Sequence, residues 1–124
     1  MFKLTKEFKF EAAHHLPHHD GKCRRLHGHS FKMRIVLKGD LLYSGGPKVG
    51  MLQDFGSISD IVKPLVEEKL DHHYLNDSTG LENPTSEELA RWVYHQLKGQ
   101  INELFAVEVD ETCTSSCCYQ EEID

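Results

Sequence analysis

The chain has no apolar run approaching the ~20 residues that a helix needs to cross a membrane, so a helical span is excluded. It has no long apolar h-region of the secretory kind either: the opening MFKLTKEFKF reads directly as a strand. Its four cysteines, Cys23, Cys113, Cys117 and Cys118, form no CxxC pair and no recognisable disulfide framework. Reduced thiols and a cytoplasmic setting are therefore expected. Repeats, low-complexity tracts and linker-like stretches are all lacking, and 124 residues suit one domain, 1–124, that buries about two-thirds of its unfolded surface. A net charge of −6 argues against general nucleic-acid binding.

That charge is unevenly spread. Residues 1–38 carry nine Lys/Arg against three Asp/Glu, whereas 39–124 carry five against seventeen. Lys22, Arg24 and Arg25 in the basic part either serve a small anion or are ordinary solvated charges.

What the chain has in excess is histidine, with six of its nine between residues 14 and 29. Phe2, Leu4, Lys6, Phe8, Phe10, Ala12 and His14 alternate with Lys3, Thr5, Glu7, Lys9, Glu11, Ala13 and His15. This is the period-2 pattern of a half-buried strand, with His14 on the apolar face. In 27–37, His27, His29, Phe31, Met33, Ile35 and Leu37 again share one side. Three inward imidazoles are the ligand set of a catalytic zinc with its fourth position open. A bulge would flip the parity and exchange His14 for His15. His18 and His19 belong to a loop, where a solvated histidine is the default.

The expected order is strand 2–14, loop 15–26, strand 27–39, and a turn-rich stretch around Gly45-Gly46-Pro47 and Gly50. A helix capped by Asp54 follows, with Pro64 expected to kink it or delay its start. Residues 71–84 read as loop. Thr85 and Glu88 form a capping box for a second helix running to about 103. Strand 105–113, a turn at Thr114-Ser115-Ser116 and a strand near 117–123 complete ββααββ, an α+β class. Glu111 continues the apolar face of Phe105, Val107 and Val109, where a carboxylate is costly unless paired. Buried, it could grip the edge of an amidine-like heterocycle; if the strand frays first, it is simply wet.

Cys23, four residues before His27, has three readings: a fourth zinc ligand closing the site, a base or nucleophile beside an open metal, or an idle thiol. Arg24, Arg25 and a metal would each favour its thiolate over a thiol of ordinary pKa about 8.5. Asp71-His72-His73 pairs an orienting carboxylate with a proton carrier, though such strings are often merely surface. Cys113, Cys117 and Cys118 read as small apolar packing residues rather than a thiolate site.

Phe10-Glu11-Ala12-Ala13-His14, Cys23-x3-His27-Gly28-His29, Leu70 to Asp77 (LDHHYLND), Glu82 to Glu87 (ENPTSE) and Glu111-Thr112-Cys113-Thr114 together resemble the 6-pyruvoyltetrahydropterin synthase superfamily. The match runs nearly the whole chain in order. The short gap between Cys23 and His27, with the LDHHYLND and NPTSE runs, is most similar to the bacterial 6-carboxytetrahydropterin synthases of queuosine biosynthesis. The resemblance implies zinc on His14, His27 and His29, Cys23 as catalytic base, and His72 as second proton carrier oriented by Asp71. It also implies Glu111 as catalytic anchor for the pterin's 2-amino and N3 edge. Departures are His15 after the ligand histidine and the Cys117-Cys118 pair.

The fold so implied is the T-fold: a four-stranded antiparallel sheet with two helices, joining as trimers into a barrel, often stacked as hexamers, with active sites between subunits. The implied reaction converts 7,8-dihydroneopterin triphosphate into 6-carboxy-5,6,7,8-tetrahydropterin, acetaldehyde and triphosphate. Two rivals remain at this point. One is a 6-pyruvoyltetrahydropterin synthase that stops after triphosphate elimination; the other is a non-catalytic zinc-binding protein.

Overall fold

Four antiparallel strands form an open sheet in the order β1-β2-β3-β4: β1 (Phe2–His14), β2 (His27–Gly39), β3 (Leu104–Glu111) and β4 (Ser115–Gln120). The computed structural model describes residues 1–112 and 114–121. Between β2 and β3 lie α1 (Phe55–Leu65), the short α2 (Leu75–Ser78) and α3 (Ser86–Leu97). The ββααββ order is as expected, with α2 added inside the segment read as loop.

β1 and β2 pair in step from Phe2↔Gly39 to His14↔His27. No bulge interrupts β1, so the even residues stay on one face. Phe8, Phe10, Ala12 and His14 are buried there beside Phe31, Met33, Ile35 and Leu37 of β2 and Val107 and Val109 of β3. The helices cover this face with Ile58, Val62, Leu89, Val93 and Leu97. Trp92 packs against the same core from its margin.

Asp54 caps α1 by accepting the Gly56 N–H at 2.8 Å, and Thr85 caps α3 by accepting the Glu88 N–H at 3.1 Å. Pro64 does not delay α1. It has no N–H to donate into the helix, and directly after it residues Val66–Leu70 wind as a wider π-helical turn. That turn closes with the Asp71 N–H on the Val66 carbonyl at 2.7 Å and delivers Asp71 and His72 to the outer edge of β1.

Three boundaries differ from expectation. α3 stops at Leu97 rather than near 103, and the chain turns there with the Gln100 and Ile101 N–H groups sharing the Leu97 carbonyl. β3 ends at Glu111, and β4 starts at Ser115, which pairs with Glu111. The turn therefore sits earlier than Thr114-Ser115-Ser116, with Thr112 in the left-handed region at φ 57°. Cys113, one of the thiols read as packing, lies outside the described residues.

Candidate metal centre

The paired ends of β1 and β2 bring three imidazoles together. His14 and His27 are cross-strand partners, and His29 faces Ala12 one step along the same side. Ring centroids lie 4.6 Å apart for His14 and His27, 4.8 Å for His27 and His29, and 5.1 Å for His14 and His29. His14 is fully buried; the other two are half-buried. His15 points elsewhere: its ring stacks on Tyr74, with Nδ1 2.5 Å from the phenol oxygen.

Each ring is anchored through Nδ1. That atom lies 2.8 Å from the Pro84 carbonyl in His14, 2.7 Å from the Arg25 carbonyl in His27, and 2.8 Å from Thr112 Oγ1 in His29. A carbonyl can only accept, so in His14 and His27 the proton sits on Nδ1 and Nε2 presents a bare lone pair. All three Nε2 atoms are buried without a hydrogen-bond partner. Desolvation by burial lowers the pKa of His14 and of His29, against the opposing pull of the Pro84 carbonyl and the Glu111 charge respectively. Burial thus favours the neutral form of His14 and His29 and works against relieving the crowding of lone pairs by protonation. Three convergent, dry, unpartnered nitrogen donors fit a divalent cation, and the outer anchors are those of metal-bound histidine.

Glu111 completes the cluster. The donor atoms of His14, His27, His29 and Glu111 all lie within 4.8 Å of one another. Glu111 Oε1 is 3.0 Å from His29 Nε2 without hydrogen-bond alignment, and Oε2 accepts from Ser86 Oγ at 2.7 Å. The carboxylate is therefore paired rather than wet. Cys23 does not belong to this donor group. It sits half-buried in a 3-10 turn, Lys22–Arg24, whose Cys23 carbonyl accepts the Leu16 N–H at 2.8 Å. Lys22, Arg24 and Arg25 are exposed around it.

Asp71 and His72 occupy a different place. Asp71 Oδ1 accepts the Glu11 N–H at 2.9 Å, and Oδ2 lies 2.9 Å from His72 Nδ1. The Glu11 N–H first, and His72 second, hold the Asp71 carboxyl below its usual range. The His72 N–H donates to the Glu11 carbonyl at 2.6 Å, and the residue takes φ 57°, uncommon for a side chain of this size. Segment 71–74 is thereby laid along the outer edge of β1, with the His72 ring 79% exposed. It borders a cleft of about 520 Å³ whose walls include Glu11, Ala13, Gly28 and Ser30. Those four alternate with the core-facing residues, so the cleft opens on the outer face of the sheet. Of the histidine cluster, only His29 reaches it.

Cys117 is half-buried and Cys118 exposed on β4, and burial pushes both thiols up, which disfavours a thiolate site there. Sequence reasoning missed Ser86, Thr112 and the carbonyls of Pro84 and Arg25. The first two stood in motifs already singled out, while a carbonyl has no signature.

With this geometry established, comparison with known proteins is informative. Residues 3–122 match the family model described as 6-pyruvoyl tetrahydropterin synthase. The 6-carboxy-5,6,7,8-tetrahydropterin synthase of Synechocystis sp. is 52% identical over 96% of this chain and 93% of its own. Its namesake from Haemophilus influenzae is 36% identical over 98% of this chain and 100% of its own. Among solved structures, the 6-pyruvoyl tetrahydropterin synthase of Caenorhabditis elegans superposes with TM-score 0.82 at 24% identity, covering 98% of this chain and 96% of that one. That likeness concerns the fold alone.

Proposed function

Because the chain belongs to the 6-pyruvoyl tetrahydropterin synthase family, and is an enzyme of it, we propose that it is a zinc-dependent 6-carboxytetrahydropterin synthase. Its substrates on this reading are 7,8-dihydroneopterin triphosphate and one water, and its products are 6-carboxy-5,6,7,8-tetrahydropterin, acetaldehyde and triphosphate, on the route to 7-deazaguanines and queuosine. The observation that carries the metal part is the trio of buried, unpartnered Nε2 atoms on His14, His27 and His29. The printed names of the 52% and 36% identical relatives favour the carboxy product over the pyruvoyl one.

The residues divide the work as follows. His14, His27 and His29 hold Zn²⁺, which when bound supplies a positive charge that stabilises developing negative charge on the substrate's side-chain oxygens. Glu111, held by Ser86, accepts from the pterin's 2-amino and N3 groups through charge-assisted hydrogen bonds. Cys23 takes a proton from the side-chain carbon. His72, whose Nδ1 is engaged by Asp71, carries the second proton on its exposed Nε2.

The position of His72 bears on assembly. It lies on the outer-edge cleft, which His29 also lines while His14 and His27 do not. β4 leaves an outer strand edge open, and so does β1 up to Lys9, beyond which segment 71–74 covers it. Pairing such edges between copies closes a barrel of three chains, two such barrels stacking as a hexamer, and sets the His72 of one subunit towards the metal of another. The described helices include none long and apolar enough to cross a membrane. The proposed enzyme is one domain, 1–124, at work in the cytoplasm.

The test is product analysis. The zinc-loaded protein should release acetaldehyde, detected with a coupled alcohol dehydrogenase, together with the carboxypterin. A pyruvoyl pterin without acetaldehyde would transfer the chain to the rival synthase activity.

A further inference from the structure

We infer that Asn76 is a positioning residue for the metal centre, tying the end of β1 to the loop that orients His14; this rests on the metal reading proposed above. Asn76 lies on α2, and its side chain bonds to backbone at His15, 61 residues back, and at Glu82, six residues on. Oδ1 accepts the His15 N–H at 3.0 Å, while Nδ2 donates to the His15 carbonyl at 2.9 Å and to the Glu82 carbonyl at 3.1 Å. The network leaves no freedom in the amide: an N–H requires the oxygen, and two carbonyls require the two amide hydrogens.

The two backbone sites it joins are the two ends of one contact. His15 follows His14 directly, and Glu82 stands two residues before Pro84, whose carbonyl accepts from His14 Nδ1 at 2.8 Å. Asn76 therefore sets the separation across which that hydrogen bond closes. The connecting stretch leads from α2 to α3 and reverses at Gly80, in the left-handed region at φ 77°, with Thr79 Oγ1 accepting the Leu81 N–H at 3.1 Å. Tyr74, two residues before Asn76, holds the His15 ring away from the cluster. Without the amide, β1's end and the 79–84 loop lose their common brace, and the His14 ring loses the acceptor that fixes its tautomer and aim.

Ser78 supplies a matched control. It sits on the same short helix and donates to the Lys69 carbonyl at 2.6 Å, on a path that does not lead to His14. Metal-free protein is titrated with Zn²⁺ against a competing chelator, and with Co²⁺ to read the visible spectrum of the bound ion. Asn76→Ala is expected to weaken Zn²⁺ binding roughly 10–100-fold, the usual cost of losing an outer-shell partner, and to alter the Co²⁺ spectrum. Ser78→Ala should lower thermal stability and leave both metal readouts as in the wild type.

Asn76→Asp keeps the acceptor for the His15 N–H but loses both donated bonds, and should show the same metal deficit if the alanine variant does not fold. An Asn76 variant that binds Zn²⁺ as tightly as wild type, or a Ser78→Ala deficit equal to that of Asn76→Ala, overturns the inference. If wild type binds Zn²⁺ no better than His29→Ala does, the metal reading itself has failed.

Discussion

Two polar clusters occupy the two faces of one sheet, and they are built on opposite principles. On the core face, three imidazoles converge with every Nε2 buried and unpartnered. On the outer face, Arg34 of β2 donates to Glu108 at 2.7 Å and, through both terminal nitrogens, to Asp110 at 2.6 and 2.9 Å. Glu7 of β1 stands 3.6 Å away on its other side. The fork-to-fork geometry satisfies nearly every donor and acceptor, which is what a structural cluster needs. The histidine cluster leaves its lone pairs bare, and a fold tolerates that only where something else is to fill them. Satisfaction marks the brace, and its absence marks the site.

The sharpest way to break this contrast is to remove a ligand. His29→Ala should abolish stoichiometric Zn²⁺ binding, a loss beyond the roughly 10–100-fold cost of an outer-shell change, and turnover with it. Chelator competition and metal analysis of the purified variant read this directly. A variant that retained tight zinc would mean that the cluster is not the metal centre.

Next in size is Cys23→Ala. The thiol lies outside the four-donor group, so zinc content should match wild type while turnover falls roughly 10²–10⁴-fold, the usual range for loss of a general base. Loss of the metal would instead make Cys23 a ligand and close the site. Undiminished turnover would remove Cys23 from the role of base, whereas no turnover in wild type either would favour a protein that binds zinc without chemistry.

The outer cluster should respond in the other currency, stability. Arg34→Met removes the guanidinium from Asp110 and Glu108, leaving Asp110 only the more distant Lys32 as countercharge, and should cost about 2–3 kcal/mol in urea unfolding. Zinc affinity should not change. Arg34→Lys should recover only part, because an ammonium cannot reproduce the guanidinium fork.

The same contrast explains what was legible in the sequence. Strict alternation in β1, uninterrupted by a bulge, was enough to put His14 inside and His15 out, and both strands are found at the residues expected. The caps at Asp54 and Thr85 were legible because capping is local chemistry. Less visible were consequences of backbone geometry. Pro64 announced a disturbance but not that the chain would widen into a π turn and place Asp71 on β1's edge. The acceptors for His14 and His27 are carbonyls of Pro84 and Arg25, which any residue could supply. Asn76 fell in a stretch read as loop, so nothing in its spacing showed that its amide spans 61 residues back to His15.

The smallest expected effect is the acid response, and it separates the clusters by pH. In the folded protein the Arg34 guanidinium holds Asp110 down to about 2, against an ordinary value of 3.8. Its folded pKa is depressed, so its contribution is complete above pH 4 and is lost as pH falls toward 2. With each pKa unit equivalent to about 1.36 kcal/mol, and some discount for partial exposure, the loss is about 1–2 kcal/mol. His14 and His29 are also depressed, by desolvation, but for a base this means that the unfolded chain takes up the proton first. Stability of the metal-free protein should therefore fall earlier, as pH drops below the ordinary histidine value of about 6.5. Urea midpoints measured from pH 7 to pH 2.5 should show two limbs. Arg34→Met should flatten only the lower one, and an unchanged lower limb in that variant would detach Asp110 from Arg34.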